Sequence, residues 1–364
     1  MIIEVKQREE LFQPNNHSFS VGYKPIAPDT ANMLAGLLFS HYPALSVDVN
    51  TFVQVGAAEQ ASNNFRVSAV LKNSFSHTFI LQRHNAVARE AEIVFIGNTL
   101  RHLLEKGVSV PRLVPAQSGL LYALWDGSIW QLYEYIEGDH YRGTFEELIA
   151  AAHGLALFHK ILQEFPYGDA LRARQSILPP FDADMLYKIL VEANVRDTTE
   201  VDTLFIVQQD FLKTTADDII KKRASFIHAR CQAIHGDLHP HNMLFAHLKL
   251  KAILDFGMMQ FSELLRDVSF AAHRFARQYA VYQGGDHRAA QAGFSLFLNE
   301  YRKYNFLTPE ELQNVSLFIK DELMRRIVHD FSSLYFEGTE NFANVAELKK
   351  KIMLLKEADF LYYE

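Results

Sequence analysis

The sequence has a single cysteine, no long apolar run and no excess of basic residues. Cys231 alone can form neither an internal disulfide nor a metal site built from several thiolates. No stretch approaches the roughly 18 apolar residues of a membrane span. The first twelve residues, MIIEVKQREELF, carry charges where a signal peptide needs an apolar run. We therefore expect a cytoplasmic protein with no membrane partner.

Basic residues are outnumbered, since Lys and Arg total 36 against 43 Asp and Glu, a net charge of −7. Broad binding to nucleic acid or anionic lipid needs a cationic field, so the balance argues against both partners. With 49% hydrophobic and 22% charged residues, the chain has the composition of a folded domain. A length of 364 residues predicts two globular units or one large one, at roughly 150 residues per domain.

The first third of the chain predicts an antiparallel sheet. A short apolar helix at 31–40 lies in a helical N-terminal extension of about residues 1–50. Segments 64–71 and 77–84 are rich in β-branched and aromatic residues and predict a hairpin. Segments 120–125 and 128–136 predict a second hairpin, because the intervening Asp126-Gly127 favours a type I′ turn. About five strands are expected over 52–136, interrupted by one long helix at 89–106.

The remainder is mainly helical, with apolar residues at helical spacing over 146–162, 181–230 and after 266. A short β-like segment at 233–256 interrupts this pattern. We therefore predict an α+β, bilobal chain: an N-terminal lobe at 1–137, with the sheet and one long helix, and a larger helical lobe at 138–364.

Three polar residues in the β-like segment have a spacing that suits phosphoryl transfer. Asp237 lies on a polar loop after an apolar strand, in IHGDLHPHNMLF, and Asn242 follows five residues later. Asp255, in AILDFG, comes thirteen residues after Asn242, and an intervening hairpin would bring it back beside Asn242. Such a reaction needs one carboxylate to orient the attacking hydroxyl and oxygen ligands to hold Mg²⁺ against the phosphates.

The two motifs, HGDLHPHN and ILDFG, resemble those of the aminoglycoside phosphotransferase and choline kinase superfamily. The resemblance implies a protein-kinase-like fold and ATP-dependent phosphorylation of a small-molecule hydroxyl. It implies that Asp237 is the catalytic base and that Asn242 and Asp255 are the Mg²⁺ ligands. It also implies that the N-terminal lobe binds the nucleotide and the helical lobe binds the acceptor, and that Asp267 braces the metal-binding loop.

The three histidines of the first motif, His235, His239 and His241, have a competing interpretation as a zinc site. No carboxylate or thiolate completes a known ligand spacing, and the phosphotransferase motif accounts for all three. We therefore interpret His235 as a structural residue that fixes the loop.

The strand FILQRHN, residues 79–85, departs from the kinase pattern because it has no phosphate-binding Lys. It is similar to the corresponding strand of the N-acetylhexosamine kinase branch, in which a Gln and a helix Asn replace the usual ion pair. That similarity points to Gln82 paired with Asn98. The alternative is that Arg83 reaches the phosphates, with Glu90 or Glu92 as its partner. Strand alternation allows only one of Gln82 and Arg83 to point into the cleft, and we favour Gln82.

Two further segments are assigned to nucleotide binding because of their positions in the chain. Residues 132–138, which include Glu134, Tyr135 and Ile136, end the last predicted strand where the superfamily has its adenine-binding hinge. The small residues of 56–64 lie where a phosphate-covering loop belongs, although an ordinary surface loop fits them nearly as well. The segment ILPPFDAD at 177–184 has a faint similarity to a sugar-kinase run.

Aromatic residues are dense near the C-terminus and permit two interpretations. They could form a cage for a quaternary ammonium group. Their helical periodicity favours the ordinary interpretation, a packed core. The residues concerned are Phe331, Tyr335, Phe336, Phe342, Phe360, Tyr362 and Tyr363.

These observations leave three hypotheses. The first is an ATP- and Mg²⁺-dependent small-molecule kinase. The second, motivated by the missing Lys, is a nucleotide-binding pseudokinase, and the third is an atypical kinase of the ubiquinone-biosynthesis type. The acidity of the chain slightly favours a cationic acceptor such as an amino alcohol or aminoglycoside, whereas the FILQRHN strand slightly favours a sugar. The oligomeric state stays open.

Overall fold

The structure, a computed structural model, describes residues 21–57, 64–71, 76–84, 90–165, 180–227, 229–338 and 343–359. Its N-terminal part contains a seven-stranded antiparallel sheet with the order β1-β3-β4-β5-β7-β6, and β2 pairs with β4 at one side. The strands are β1 Val21–Pro25, β2 Leu45–Val47, β3 Val53–Ala57, β4 Asn64–Leu71, β5 Ser76–Arg83, β6 Ala123–Trp125 and β7 Ser128–Glu134.

Both predicted hairpins are present in this sheet. Strands β4 and β5 pair from Asn64↔Gln82 to Val70↔Ser76, and β6 pairs with β7. Asp126 and Gly127 both have positive φ, 48° and 66°, as the predicted type I′ turn requires. The first strand of the second hairpin is shorter than predicted, because it begins only at Ala123.

The five strands expected over 52–136 are present as β3 to β7, with the long helix between β5 and β6. The expectation of a helical extension over about residues 1–50 was wrong for the described part of that range, which begins at residue 21. Strands β1 and β2 lie within that extension and join the sheet, since β1 pairs with β3 over Val21↔Ala57 to Pro25↔Val53. Helix α1, Pro28–His41, corresponds to the predicted apolar helix and extends it at both ends. Two short strands flanking one helix have too little apolar periodicity to be separated from loops in the sequence.

Helix α1 covers one face of the sheet and forms a small hydrophobic core with it. Leu34, Leu37 and Leu38 of the helix are fully buried, together with Leu81 of β5 and Leu132 of β7. Alternation along the strands turns the intervening residues to the opposite face. That opposite face borders the cavity described below.

The long helix predicted at 89–106 is α2, Glu90–Glu105, and it ends before Gly107, which has a φ of 85°. Its residues Phe95, Ile96, Leu100 and Leu103 belong to a second, larger hydrophobic core formed mainly by the helices that follow. These are α3 Phe145–Gln163, α4 Ala183–Arg196, α5 Glu200–Lys221, α6 Ala224–Ile227, α7 Leu264–Tyr282, α8 His287–Arg302, α9 Pro309–Ser332 and α10 Val345–Ala358.

The predicted β-like segment forms two small sheets among these helices. Strands β10 Met243–Ala246 and β11 Lys249–Ile253 make the expected hairpin, and β8 Asp139–His140 pairs with β10. Strand β9 Cys231–Ile234 pairs instead with β12 Gln260–Glu263, which the sequence had not indicated. The loop after β9 and the loop after β11 are thereby held side by side. The domain boundary at 137–138 stays a prediction.

The ordinary interpretation of the C-terminal aromatics is confirmed for Phe331 and Tyr335, which are buried in the larger core. The Tyr335 hydroxyl donates to Asp202 at 2.5 Å, and Phe331 packs edge-on against Phe205. Phe336 is half exposed. Phe342, Phe360, Tyr362 and Tyr363 lie outside the described residues.

None of the helices in the described ranges combines the length and the apolar character that crossing a bilayer would require.

The fully buried Leu37 should contribute strongly to stability through the smaller core. We expect Leu37→Ala to lower the free energy of unfolding by about 2 to 5 kcal/mol, because it removes buried methyl groups and leaves a cavity. Phe39, on the same helix but 78% exposed, is the matched control. Urea unfolding followed by circular dichroism should show a change within about 0.5 kcal/mol for Phe39→Ala; equal losses for both variants would contradict the packing described here.

Candidate active site

The loop that carries Asp237 begins with a tight turn after β9. Gly236 has a φ of 81°, and a Cβ at this position would lie 2.2 Å from the carbonyl oxygen of Met258. Only glycine fits such a position without strain. The predicted structural role of His235 is confirmed. Its Nε2–H donates to the Leu254 carbonyl at 2.8 Å, which connects this loop to the one that carries Asp255.

Asp267, at the start of α7, braces the turn before Asp237. Its two carboxylate oxygens accept backbone N–H bonds from His235 at 2.8 Å and Gly236 at 3.0 Å. The expectation that Asp267 braces the metal-binding loop was therefore wrong in its target: the braced segment is the one that precedes the predicted base. The strand pairing β9–β12, which sets this arrangement, had no signal in the sequence.

A buried chain of hydrogen bonds supports Asp267 from behind. His159 of α3 donates Nε2–H to Asp267 at 3.1 Å and accepts the Tyr301 hydroxyl proton at Nδ1, at 2.9 Å. Asn305 in turn donates to the Tyr301 oxygen at 3.0 Å. Burial lowers the pKa of His159, which keeps the ring neutral, with one donor and one acceptor. Burial opposes ionisation of Asp267, but the bonds from His159 and the backbone of His235 hold its pKa below the usual value.

Asn242 links the two predicted loops. Its side-chain Nδ2 donates to the Asp237 carbonyl at 2.9 Å, and its own carbonyl accepts the Leu254 N–H at 2.9 Å. Since the amide nitrogen is used in this way, Oδ1 is turned away from the Asp237 loop. Asp255, directly after Leu254, is an exposed residue in a left-handed conformation with a φ of 61°, and its Oδ1 accepts the Gly257 N–H at 3.4 Å.

A cavity of about 480 Å³ lies between the sheet and the helical part. Both Asn242 and Asp255 line it, so two oxygen-bearing side chains share one wall. Gln82, Glu134, Tyr135 and Ile136 of the predicted nucleotide-binding set also line it. Asp237, Arg83 and Asn98 do not. Residues that the sequence had not indicated complete the wall, among them Tyr23, Val55, Ile80, Pro111, Tyr133, Asp139, His140 and Phe256.

The structure places Gln82 and Arg83 on opposite faces of β5, as alternation predicted. Gln82 faces the cavity. Arg83 points away from it, and its Nε and Nη2 donate to the Ser128 hydroxyl at 3.0 and 2.9 Å. The alternative in which Arg83 pairs with Glu90 is wrong, because the Glu90 carboxylate instead accepts the Tyr122 hydroxyl proton. Arg83, a candidate for the phosphate site, is therefore not placed to reach it here.

The expected amide pair between Gln82 and Asn98 is absent from this structure. The side-chain oxygen of Asn98 accepts a bond from Arg101, one turn further along α2, at 2.6 Å. A guanidinium three residues away on the same helix competes directly for that oxygen.

The hinge segment presents backbone groups to the cavity. The Glu134 N–H is bonded to the Arg112 carbonyl and the Tyr135 N–H to the Thr78 carbonyl. Among the described residues, no hydrogen bond is recorded for the N–H of Ile136. Arg66 stacks between the rings of Tyr23 and Tyr135, 5.4 and 4.7 Å from their centroids, and rigidifies this edge. Only the ends of the predicted phosphate-covering loop are described, because 58–63 lie outside the described residues, as do 177–179 of ILPPFDAD.

Sequence reasoning missed the strongest partner of Asp237. Arg326 of α9 donates to Asp237 Oδ1 at 2.8 Å and to the Gly236 carbonyl at 2.9 Å, and its Nε donates to Glu322 at 2.8 Å. Burial opposes ionisation of Asp237, but the charge of Arg326 and the nearby His239 ring hold its pKa far below the usual value. An arginine 89 positions along the chain gives no local motif to recognise.

The loop histidines interact with each other and with the backbone. His239 accepts the His241 N–H at Nδ1, at 3.3 Å, and its Nε2 lies 3.6 Å from Asp237 Oδ2. Burial, with the charges of His239 and Arg274, lowers the pKa of His241 to about 3. Within the described ranges, no group of three or more His, Cys, Asp or Glu side chains is arranged to hold a metal ion.

Comparison with known proteins gives a match over more than two thirds of the chain. The model of the phosphotransferase enzyme family matches residues 55–307. A homoserine kinase of Afipia carboxidovorans is 24% identical over 274 residues, which cover 74% of this chain and 76% of that protein. The resemblance stated from the two motifs is thus confirmed.

Solved structures share the fold. The amicoumacin kinase hAmiN, in complex with AMP-PNP, Ca²⁺ and Ami, has a TM-score of 0.62 at 16% identity, with 99% of this chain and 96% of that chain covered. A spectinomycin phosphotransferase in complex with ADP and spectinomycin has a TM-score of 0.62 at 13% identity, with 91% and 98% covered. A microcompartment-associated aminopropanol kinase has a TM-score of 0.55 at 17% identity, with 89% and 94% covered. The predicted α+β, bilobal, kinase-like fold is confirmed.

Replacing Asp267 tests the brace behind the catalytic loop. In Asp267→Asn an NH₂ group replaces one carboxylate oxygen and faces N–H donors, so we expect the free energy of unfolding to fall by about 2 to 4 kcal/mol. Asp210→Asn, at an exposed position of α5, is the control and should be nearly neutral. Chemical denaturation of both variants makes the measurement, and wild-type stability of Asp267→Asn would contradict the brace.

Proposed function

The chain belongs to the phosphotransferase enzyme family, and on that basis we propose that it transfers the γ-phosphate of ATP to a hydroxyl of a small molecule. One observation carries the proposal: the side-chain Nδ2 of Asn242 donates to the Asp237 carbonyl at 2.9 Å, and the backbone carbonyl of Asn242 accepts the N–H of Leu254, the residue before Asp255, at 2.9 Å. Those two bonds connect the loop that carries the base candidate to the two metal-ligand candidates, which line the cavity.

Asp237 is proposed to orient the acceptor hydroxyl and take its proton. Its low pKa keeps it ionised at neutral pH, so it is a hydrogen-bond acceptor before transfer begins. Arg326 fixes the carboxylate through Oδ1 at 2.8 Å, which leaves Oδ2 for the hydroxyl. Positioning of this kind supplies much of the rate enhancement in phosphoryl transfer, where the protein has little covalent chemistry to perform.

Asn242 and Asp255 are proposed to hold Mg²⁺. The amide of Asn242 and the carboxylate of Asp255, on the same wall of the cavity, offer the hard oxygen donors that Mg²⁺ prefers. Magnesium bound there would neutralise charge on the phosphates of the nucleotide. The left-handed backbone at Asp255 is the kind of strained conformation that recurs at functional sites.

Gln82 and the hinge are proposed to bind the nucleotide. Gln82 extends from β5 into the cavity where a kinase of the usual pattern has a Lys, and its amide can donate to a phosphate oxygen without a full charge. The N–H of Ile136 is available to the adenine edge. Glu134 and Tyr135 border the same pocket. Asn98, whose side-chain oxygen is bonded to Arg101 on α2, is given no direct contact with the nucleotide in this proposal.

The acceptor is proposed to be a small hydroxyl compound. The relatives reported above are named for homoserine, spectinomycin and aminopropanol, which all carry hydroxyl groups. The sugar, amino alcohol and aminoglycoside classes considered from the sequence all meet this description.

Substitution of the base tests the proposal. Asp237→Asn should lower phosphate transfer from Mg²⁺-ATP by about 10² to 10⁴-fold, because the proton acceptor is lost. Nucleotide affinity, measured by calorimetry with AMP-PNP, should stay within about threefold, since Asp237 does not line the nucleotide cavity. Asp330→Asn, on the same helix as Arg326 but paired with Lys351 at 2.9 Å, is a control expected to keep transfer. Nucleotide binding by the wild type without turnover of any acceptor would instead support a pseudokinase.

The two neighbouring side chains on β5 give a second test. Gln82→Ala should raise KM for ATP by about three- to tenfold through loss of a phosphate hydrogen bond. Arg83→Ala changes the adjacent side chain on the opposite face and should leave KM for ATP unchanged. A larger effect at Arg83 than at Gln82 in steady-state kinetics would contradict the assignment.

A further inference from the structure

The side of the Asp237 loop that faces away from the nucleotide cavity is formed by three helices. Arg326 of α9 bonds to Asp237, and Phe270 of α7 packs 4.6 Å from the Arg326 guanidinium. Arg274 lies one turn after Phe270 on α7, so both are on the face turned toward this loop. The charges of Arg274 and of Lys350 on α10 both reach His241 in the loop. An acceptor hydroxyl at Asp237 would lie beside this group of cations.

The carboxylates around the group already have partners. Glu357 binds Arg277 at 2.9 Å and His273 at 3.2 Å. Glu347 lies 3.3 Å from Lys350 and 3.5 Å from Lys351, and Asp330 lies 2.9 Å from Lys351. Asp237 itself is paired with Arg326.

Arg274 differs from the other cations of this group, Arg277, Arg326 and Lys350, which have carboxylate partners. It is partly buried, yet for its side chain the structure records neither a hydrogen bond nor an ion pair with any described residue. Burial and the neighbouring charge of Arg277 lower its pKa to about 10, so the group is still a cation at neutral pH. The charges of Glu357 and Asp237 attract the guanidinium, but neither carboxylate is recorded as its ion-pair partner. A partly buried guanidinium without a direct partner is costly, unless a ligand supplies one.

We propose that the acceptor carries an anionic group, a carboxylate or a phosphate, that is bound by Arg274 while its hydroxyl lies at Asp237. This proposal rests on the phosphotransferase function proposed above and defines its substrate class. The planar guanidinium presents five N–H donors in a geometry that matches both anions. Lys350 adds a second positive charge near this site. Its one recorded partner is Glu347, and its side chain is 46% exposed.

The charge available beside Asp237 differs in sign from the net charge of the chain, because Arg274 is a cation with no ion pair among the described residues. A net charge of −7 slightly favoured a cationic acceptor such as an aminoglycoside. Electrostatic attraction to a buried pocket depends on the nearest charges, because distant surface charges are screened within about 10 Å at ordinary ionic strength. Arg274 and Lys350 would repel an ammonium group placed near Asp237.

Pairs of acceptors that differ in one carboxylate test the proposal. The anion D-glycerate is compared with the neutral D-glyceramide, and zwitterionic L-homoserine with its carboxamide, which lacks the carboxylate; glycerol 3-phosphate and kanamycin complete the panel as a phosphate and a polycation. We measure the Kd of each compound by calorimetry on the full chain with Mg²⁺-ADP, and the kcat/KM with Mg²⁺-ATP. At least one carboxylate compound should bind about tenfold or more tightly than its carboxamide.

Variants of the anion-binding residue separate charge recognition from folding. Arg274→Gln should abolish the preference for the anion, Arg274→Lys should restore part of it, and neither should change the affinity for AMP-PNP. Arg302→Gln, an exposed position on α8, is the control and should behave as the wild type.

The outcomes separate this proposal from the function on which it rests. Arg274-dependent anion binding without phosphate transfer would uphold the anion site and overturn the proposed function. Equal binding and turnover of charged and neutral partners, or a preference for kanamycin that Arg274→Gln leaves unchanged, would overturn the anion site and leave the kinase intact.

Discussion

The hydrogen bond from the Asn242 side chain to the Asp237 carbonyl is the contact on which the rest of the site depends. It holds the loop after β9 against the β10–β11 hairpin and leaves the amide oxygen of Asn242 outside this bond. His235 makes a second connection between the same loops through the Leu254 carbonyl. Asp237 and Asp255 follow strands of different small sheets, and these two bonds connect the loops that carry them.

Buried charged groups beside this contact hold the Asp237 loop and its carboxylate in place. Asp267 bonds to the backbone N–H groups of His235 and Gly236, and Arg326 holds the Asp237 carboxylate. Each buried charge therefore has a partner with hydrogen bonds, which is the condition under which buried ions are tolerated. Helix α7, which packs against α9, brings Arg274 to the same side of the loop, and neither a hydrogen bond nor an ion pair is recorded for its side chain among the described residues. Arg326 orders the Asp237 carboxylate, whereas Arg274 stays available to a ligand. This arrangement suits an acceptor that carries a negative charge.

The parts of the site that could be predicted from the sequence are those within a short stretch of chain. The Asp237, Asn242 and Asp255 spacing, the β10–β11 hairpin and the Asp126-Gly127 turn all depend on neighbours fewer than about twenty residues apart. Arg326 and Asp267 act on the same loop from far along the chain, through helix packing that periodicity alone does not determine. The same limit explains the strand β12, the two extra strands before Phe52 and the absent Gln82–Asn98 pair.

A crystal structure with Mg²⁺ and AMP-PNP tests the central claim most directly, because it locates the metal and the γ-phosphate relative to the three side chains. Our account predicts Mg²⁺ at about 2.1 Å from an oxygen of Asn242 and from an oxygen of Asp255. It also predicts that the γ-phosphate faces the free oxygen of Asp237. Density showing the metal held by other residues, or the phosphates directed away from Asp237, would contradict it.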